Sequence, residues 1–178
     1  MKQPLSIKRI RKSTGGLRLL PLVLFTFLLL TLSCSSIDCP VENVVATVYQ
    51  LKKADGSADT LADKLTIITT RRDGTDSILL NESENTKTIQ LPMGYTNPED
   101  TLRFTVTDDA GSYTDTVFIK KENTPHFESV DCSVTFFHTI TDVRLSSHNA
   151  IDSITINKAS VSYDLSTAHF NIYFKSER

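Results

Sequence analysis

The chain has no tryptophan, only six glycines and only three cysteines in 178 residues, and these scarcities narrow the functions open to it. A stacking platform for sugars would have to come from Tyr49, Tyr95, Tyr113, Tyr163 or Tyr173, and each of these fits an ordinary strand or rim position. Two of the glycines, Gly15 and Gly16, precede residue 34. Too few remain for a phosphate-cradling loop or a dinucleotide fingerprint, which cluster glycines so that the backbone can approach the anion. Gly-x-Ser-x-Gly and His-Glu-x-x-His are also missing. No run of Lys and Arg follows residue 18; the pairs Lys52-Lys53, Arg71-Arg72 and Lys120-Lys121 read as solvated strand ends. Nucleic acid is therefore not an expected partner.

What is present begins with one long apolar run. Lys2, Lys8, Arg9, Arg11, Lys12 and Arg18 precede residues 19–32, which are apolar but for Thr26 and Thr31 and are interrupted by Pro21; Ser33-Cys34 follows. A basic region, a short apolar core and a small residue before the cut are the parts of a secretory signal. The run is shorter than the roughly 20 residues a membrane-spanning helix needs. The cysteine marks a lipoprotein signal, with residues 1–33 removed, Cys34 lipidated and residues 34–40 a short tether. Thr31 stands where such signals usually carry Leu, so a plain cleaved signal is the alternative. Two or three acyl chains, each buried methylene contributing about 0.8 kcal/mol, would make the anchor effectively permanent.

Removal of the signal changes the electrostatics. All 21 acidic residues follow it and six of the 19 basic residues lie within it, leaving 13 against 21 and a net charge of −8. The remaining 145 residues suit one domain with its own core. With Cys34 assigned to lipid, Cys39 and Cys132 form an even pair in an oxidising compartment. A bond between them would close a loop of 93 residues. A metal site is the weaker alternative, since neither has a second ligand at the usual spacing.

From Val44 onward the periodicity is that of strands, with β-branched and aromatic runs bounded by Gly, Asn, Asp and Pro. The pattern predicts strands at 44–52, 64–71, 76–81, 86–91, 101–108, 113–121, 126–131, 134–140, 142–147, 151–157, 160–163 and 169–175. Leu102, Phe104 and Val106 alternate with Arg103, Thr105 and Thr107; Phe170, Ile172 and Phe174 alternate with His169, Asn171 and Tyr173. Thr60–Lys64 is expected to make one helical turn, and no longer helical stripe follows the signal. Asn123-Thr124-Pro125 is the nearest thing to a linker. Many short strands at close spacing predict an all-β, antiparallel sandwich over residues 41–178, with an immunoglobulin-like core through Lys121 and later strands completing the sheets.

A triplet of Asp, Ser or Thr, and an apolar residue recurs at Asp59, Asp76, Asp100, Asp115 and Asp152. It resembles the acceptor for O-glycosylation in exported proteins of Bacteroidota, making Thr60, Ser77, Thr101, Thr116 and Ser153 sugar sites. The plainer reading is that Asp and the hydroxyl residue end a turn while the apolar residue starts a strand. His126, His138, His148 and His169 are scattered, and His138 reads as a hydrogen-bonded structural histidine sharing a face with Phe136 and Ile140. Asp73-Gly74-Thr75-Asp76 and Asp108-Asp109 lack the ligand series and closing glutamate of a calcium loop. No catalytic residue, metal ligand or cofactor is assigned.

In order along the chain stand Cys39-Pro40, Asp76–Leu80, Leu91-Pro92-Met93-Gly94-Tyr95, Asp100-Thr101-Leu102, Pro125–Cys132, Phe137–Ile140, Ile151–Ile154 and His169–Phe174. Together they resemble an uncharacterised family of small Bacteroidota lipoproteins. The resemblance implies an envelope location and supports pairing of Cys39 with Cys132, and it brings no catalytic residues. The expectation is an outer-membrane lipoprotein, on the periplasmic side because Ser35–Asp38 lacks the acidic pair of surface-export signals. It is held by its lipid and acts as a non-catalytic binding or structural accessory module for a protein or glycan partner. An enzyme or metal-binding protein whose site forms only in the fold, and a fimbria-like assembly subunit, are the alternatives.

Overall fold

A computed structural model describes residues 44–176. Ten strands form two sheets that share one core. The first sheet has the order β4 (Thr88–Pro92), β1 (Ala46–Leu51), β10 (Phe170–Phe174), β8 (Ile151–Ile156). The second runs β3 (Asp76–Ser83), β2 (Lys64–Thr70), β5 (Glu99–Thr107), β6 (Ser112–His126), β7 (Thr135–Leu145), β9 (Ser160–Val161). The all-β sandwich is as expected, and strands after Lys121 complete both sheets: β8 and β10 the first, β7 and β9 the second.

Alternation along each strand builds the core. Leu102, Phe104 and Val106 of β5 and Val117 and Ile119 of β6 point inward and meet Tyr49 and Leu51 of β1 and Phe170 and Ile172 of β10. Tyr49 lies at the centre, fully buried, stacked on Phe170 at 4.8 Å and tilted against Phe104 at 6.1 Å. Aromatic pairs at such distances contribute about 0.5–1.5 kcal/mol beyond their buried area. Burial pushes the Tyr49 phenol well above its ordinary range; Thr47 opposes this and the Asp100 charge adds to it.

Several departures from the sequence reading have physical causes. The strands expected at 134–140 and 142–147 are one strand, β7. Opposite β6 its register shifts between Lys120↔Asp142 and Lys121↔Ile140, leaving Thr141 as an extra residue. That bulge reverses the alternation, so Ile140 faces the core although Val143 and Leu145 continue the strand at odd positions. No strand covers 126–131: His126 ends β6, and a turn closed by the Cys132 amide on the Ser129 carbonyl follows. Thr60–Lys64 makes no helical turn; Leu61 instead forms a bridge with Thr86. Asn123–Pro125 lies inside β6 and links nothing. One pair, β1 with β10, is parallel. Parallel partners need a long crossover, which the intervening eight strands supply.

His169 breaks the expected alternation of β10 at this parallel seam. Its amide donates to the Val48 carbonyl (2.8 Å) while its Nδ1 accepts from the Val48 amide (3.0 Å). The ring thus takes the place of a strand carbonyl and is fully buried. Nε2 must then carry the proton; the Ser160 carbonyl acts on it without a well-formed hydrogen bond. Burial, and after it the Lys158 charge, hold the imidazole below its ordinary pKa.

The edge strand β3 carries two register shifts against β2, one beside Glu82, whose φ is 44°. Bulges of this kind spoil an open edge as a template for further strands.

Candidate functional site

The strands give the sandwich two distinct ends. The near end holds the start of β1, the 93–98 loop, the end of β6, the start of β7 and the 127–134 and 157–169 loops. The far end holds the 52–63, 84–87, 108–111 and 146–150 loops. One inward face of β6 connects them: Asp115, Val117, Ile119 and Lys121 alternate along it, all buried.

At the near end Lys121 has a fully buried side chain, with Nζ 2.6 Å from Asp100 Oδ1. The contact is a close ionic approach rather than an aligned hydrogen bond. Asp100 Oδ2 also accepts from the Gly94 amide at 3.1 Å. Gly94 leaves room for this contact, since a Cβ there would stand 2.9 Å from Asp100 Oδ1 and push the carboxylate aside. Beside this pair, His138 Nδ1 lies 2.7 Å from Asn123 Oδ1. The Asn123 amide nitrogen donates to the carbonyls of Tyr95 and Asn97, so its oxygen faces the imidazole and Nδ1 is the donor. Nε2 is left as an acceptor. Burial first, then the Lys121 charge, hold His138 below its ordinary pKa against the opposing pull of Asp100. At pH 7 the ring is neutral.

His138 lines a cleft of about 350 Å³ together with Val45, Met93, Tyr95, Val134, Thr135 and Phe136. Tyr95 is 62% exposed and stacks on Phe136 at 4.9 Å. On the opposite face of β7, His126, Phe137 and Tyr163 form a second aromatic group, with His126 stacked on Phe137 at 4.2 Å. The cleft offers flat aromatic rings and one neutral imidazole, groups suited to binding. Among the described residues no group of His, Cys, Asp and Glu could hold a metal ion. No helix among them is long and apolar enough to cross a membrane.

At the far end Asp115 is enclosed. Its carboxylate accepts from the amides of Asn149, Ala150 and Ile151 at 2.7–3.0 Å and from the Ser147 hydroxyl at 2.6 Å. Burial alone would raise this carboxyl, but those donors outweigh it and the pKa falls below its ordinary value. A shallow pocket nearby is lined by Asp63, Glu84, Asp108 and Asp109 with Lys64 as its one cation.

Lys121 corrects the reading of Lys120-Lys121 as a solvated pair: Lys120 is exposed and Lys121 is among the most buried polar residues. The alternation Asp115, Val117, Ile119, Lys121 carried the signal, because the two charged residues share parity with the core positions. His138 is the hydrogen-bonded residue expected, on a face with Phe136 and Ile140.

The hydroxyls of the triplets do not converge. Thr60 lies in the 52–63 loop, Ser77 on β3, Thr101 on β5, Thr116 on β6 and Ser153 on β8; Thr60 and Thr101 are exposed and the others half-buried. Four of the five aspartates have structural partners. Asp59 accepts from the Thr60 amide, Asp76 pairs with Arg103 and Thr70, and Asp100 and Asp115 are placed as above. Residues 1–33, Cys34 and Cys39 lie outside the described residues. Cys132 is half-buried in the 127–134 loop and is not a free thiol.

Residues 64–174, from the start of β2 to the end of β10, match a family of unknown function (DUF6452). The match covers more than half of the chain, and the chain belongs to that family. No curated protein and no solved structure matches it.

Proposed function

We propose that this chain is an exported envelope lipoprotein whose folded part is a non-catalytic binding module for a protein or glycan partner. In this reading the first 33 residues are removed, Cys34 carries lipid, and Cys39 and Cys132 are bonded. The periplasmic side of the outer membrane is the favoured location. The observation that supports binding is the near-end cleft. There an exposed Tyr95–Phe136 stack lies beside a neutral imidazole whose Nε2 is an acceptor, fixed in place by Asn123. Aromatic faces with one oriented polar group suit a sugar ring or an apolar side chain flanked by a donor.

Photocrosslinking from position 95 in intact cells tests the reading. One or a few envelope partners are expected, lost in Phe136→Ser. Crosslinks that are identical in number and identity from a far-end position such as Ala110 would refute the cleft as the binding surface. Sugar on Thr60, Ser77, Thr101, Thr116 or Ser153 belongs to the same proposal. Peptide masses from the native host would carry it, and unmodified masses at all five would remove it.

A further inference from the structure

We propose that the near end rests on the bilayer, with the Phe127–Cys132 loop touching the headgroup region. This deepens the anchored reading above and rests on it. In the 127–134 loop Phe127 is 67% exposed and Val130 97%, and Val44, which precedes β1 at the same end, is 57% exposed. No large exposed hydrophobic residue stands in the far-end loops at 52–63, 84–87, 108–111 and 146–150. Exposed apolar residues gathered at one end of a domain mark a contact.

The length of chain outside the described residues selects the occupant. Val44 is ten residues from Cys34, and a fully extended chain of that length spans at most about 35 Å. If Cys39 is bonded to Cys132, only five residues, or about 17 Å, separate the lipidated residue from that bond. The tips of the loop then have the bilayer within reach and little room to turn from it. Charge sets the depth. Glu128, 3.2 Å from His126 Nε2, and Asp131 place two carboxylates in or beside the loop, so contact is confined to the interface. Four carboxylates around the far-end pocket favour water over phosphate headgroups.

The chain's lack of tryptophan makes a clean probe. Val130→Trp and, as control, Ala110→Trp are made in the full chain, and the lipidated mature protein is reconstituted into phosphatidylcholine vesicles with or without brominated acyl chains. A ring lying about 5–10 Å into the interface should lose roughly half its emission to brominated lipid and shift to the blue, while residue 110 does neither. A protein that floats with the vesicles, yet emits alike from both positions, overturns the contact and leaves the anchor standing. A protein that does not float and has unmodified Cys34 overturns the anchor and the contact with it. Shielding of residue 130 from aqueous iodide without quenching by brominated lipid would place a protein on this surface and overturn the membrane contact.

Discussion

On the inward face of β6, Asp115 at the far end and Lys121 at the near end are both buried charges, and their surroundings differ. Asp115 meets three amides and a hydroxyl contributed by one contiguous loop, 147–151, with no cation. Lys121 meets a carboxylate from β5, with an imidazole held by Asn123 close by and a cleft alongside. The far end spends its charge on fixing a loop. At the near end the charge sits under a surface that a ligand or a bilayer can still reach. Full satisfaction makes a closed structural knot, and an oriented group left over makes a site.

Removing the links of each end separately would break this comparison if it is wrong. The largest effect is expected from Cys39→Ala or Cys132→Ala, either of which would break the bond proposed between them. Chain-entropy arguments give about 4–5 kcal/mol for a loop of this length, read as a fall in urea-unfolding stability that matches the effect of reductant on the parent. Asp115→Ala comes next, at about 4 kcal/mol, because it leaves buried amides without an acceptor. Amide exchange should rise first at Asn149, Ala150 and Ile151. Lys121→Met should cost about 3 kcal/mol by stranding the Asp100 charge, and Lys121→Met with Asp100→Asn should recover much of it. Gly94→Ala is smaller, about 1 kcal/mol, as the new methyl displaces a pinned carboxylate.

pH separates the buried histidines from the buried carboxylate without mutation. His138 and His169 are held below their ordinary pKa in the fold, so the unfolded chain takes up protons first as pH falls below about 6.5. Stability should decline from there until the folded-state values are passed, and His138→Gln should flatten part of the decline. Asp115 acts lower. Its depressed folded value contributes stability that is present above the ordinary carboxyl range near 3.9 and lost as pH falls through the folded value. Asp115→Asn should remove only the Asp115 share of the acid limb, because Asp55, Asp73, Asp76 and Asp164 are also held low by their hydrogen bonds, and it should leave the histidine limb unchanged.

Much of the fold was legible because inward positions of β5 and β6 alternate without interruption. Where the register slips, at Thr141, one strand read as two, since a bulge is a property of the pairing and leaves no mark in a single strand's composition. The burial of His169 was missed because a side chain standing in for a backbone carbonyl looks like any polar residue beside a strand. Of the candidate site, the sequence named His138 only as a hydrogen-bonded structural residue and Tyr95 only as one of five tyrosines that could stack on a sugar. Asp100 and Lys121 are 21 positions apart and meet only through the β5–β6 register. The Tyr95–Phe136 stack joins residues from opposite sides of β6 in sequence, which no local pattern connects.

The claim that the near end is the attached end is tested most directly by mass. Protein extracted with detergent from its host membrane should have an intact mass corresponding to residues 34–178 plus acyl chains. Digestion without reductant should yield one peptide pair joined through Cys39 and Cys132. Retention of residues 1–33, or an unacylated chain beginning near Ser35 with both thiols alkylatable, would contradict the account.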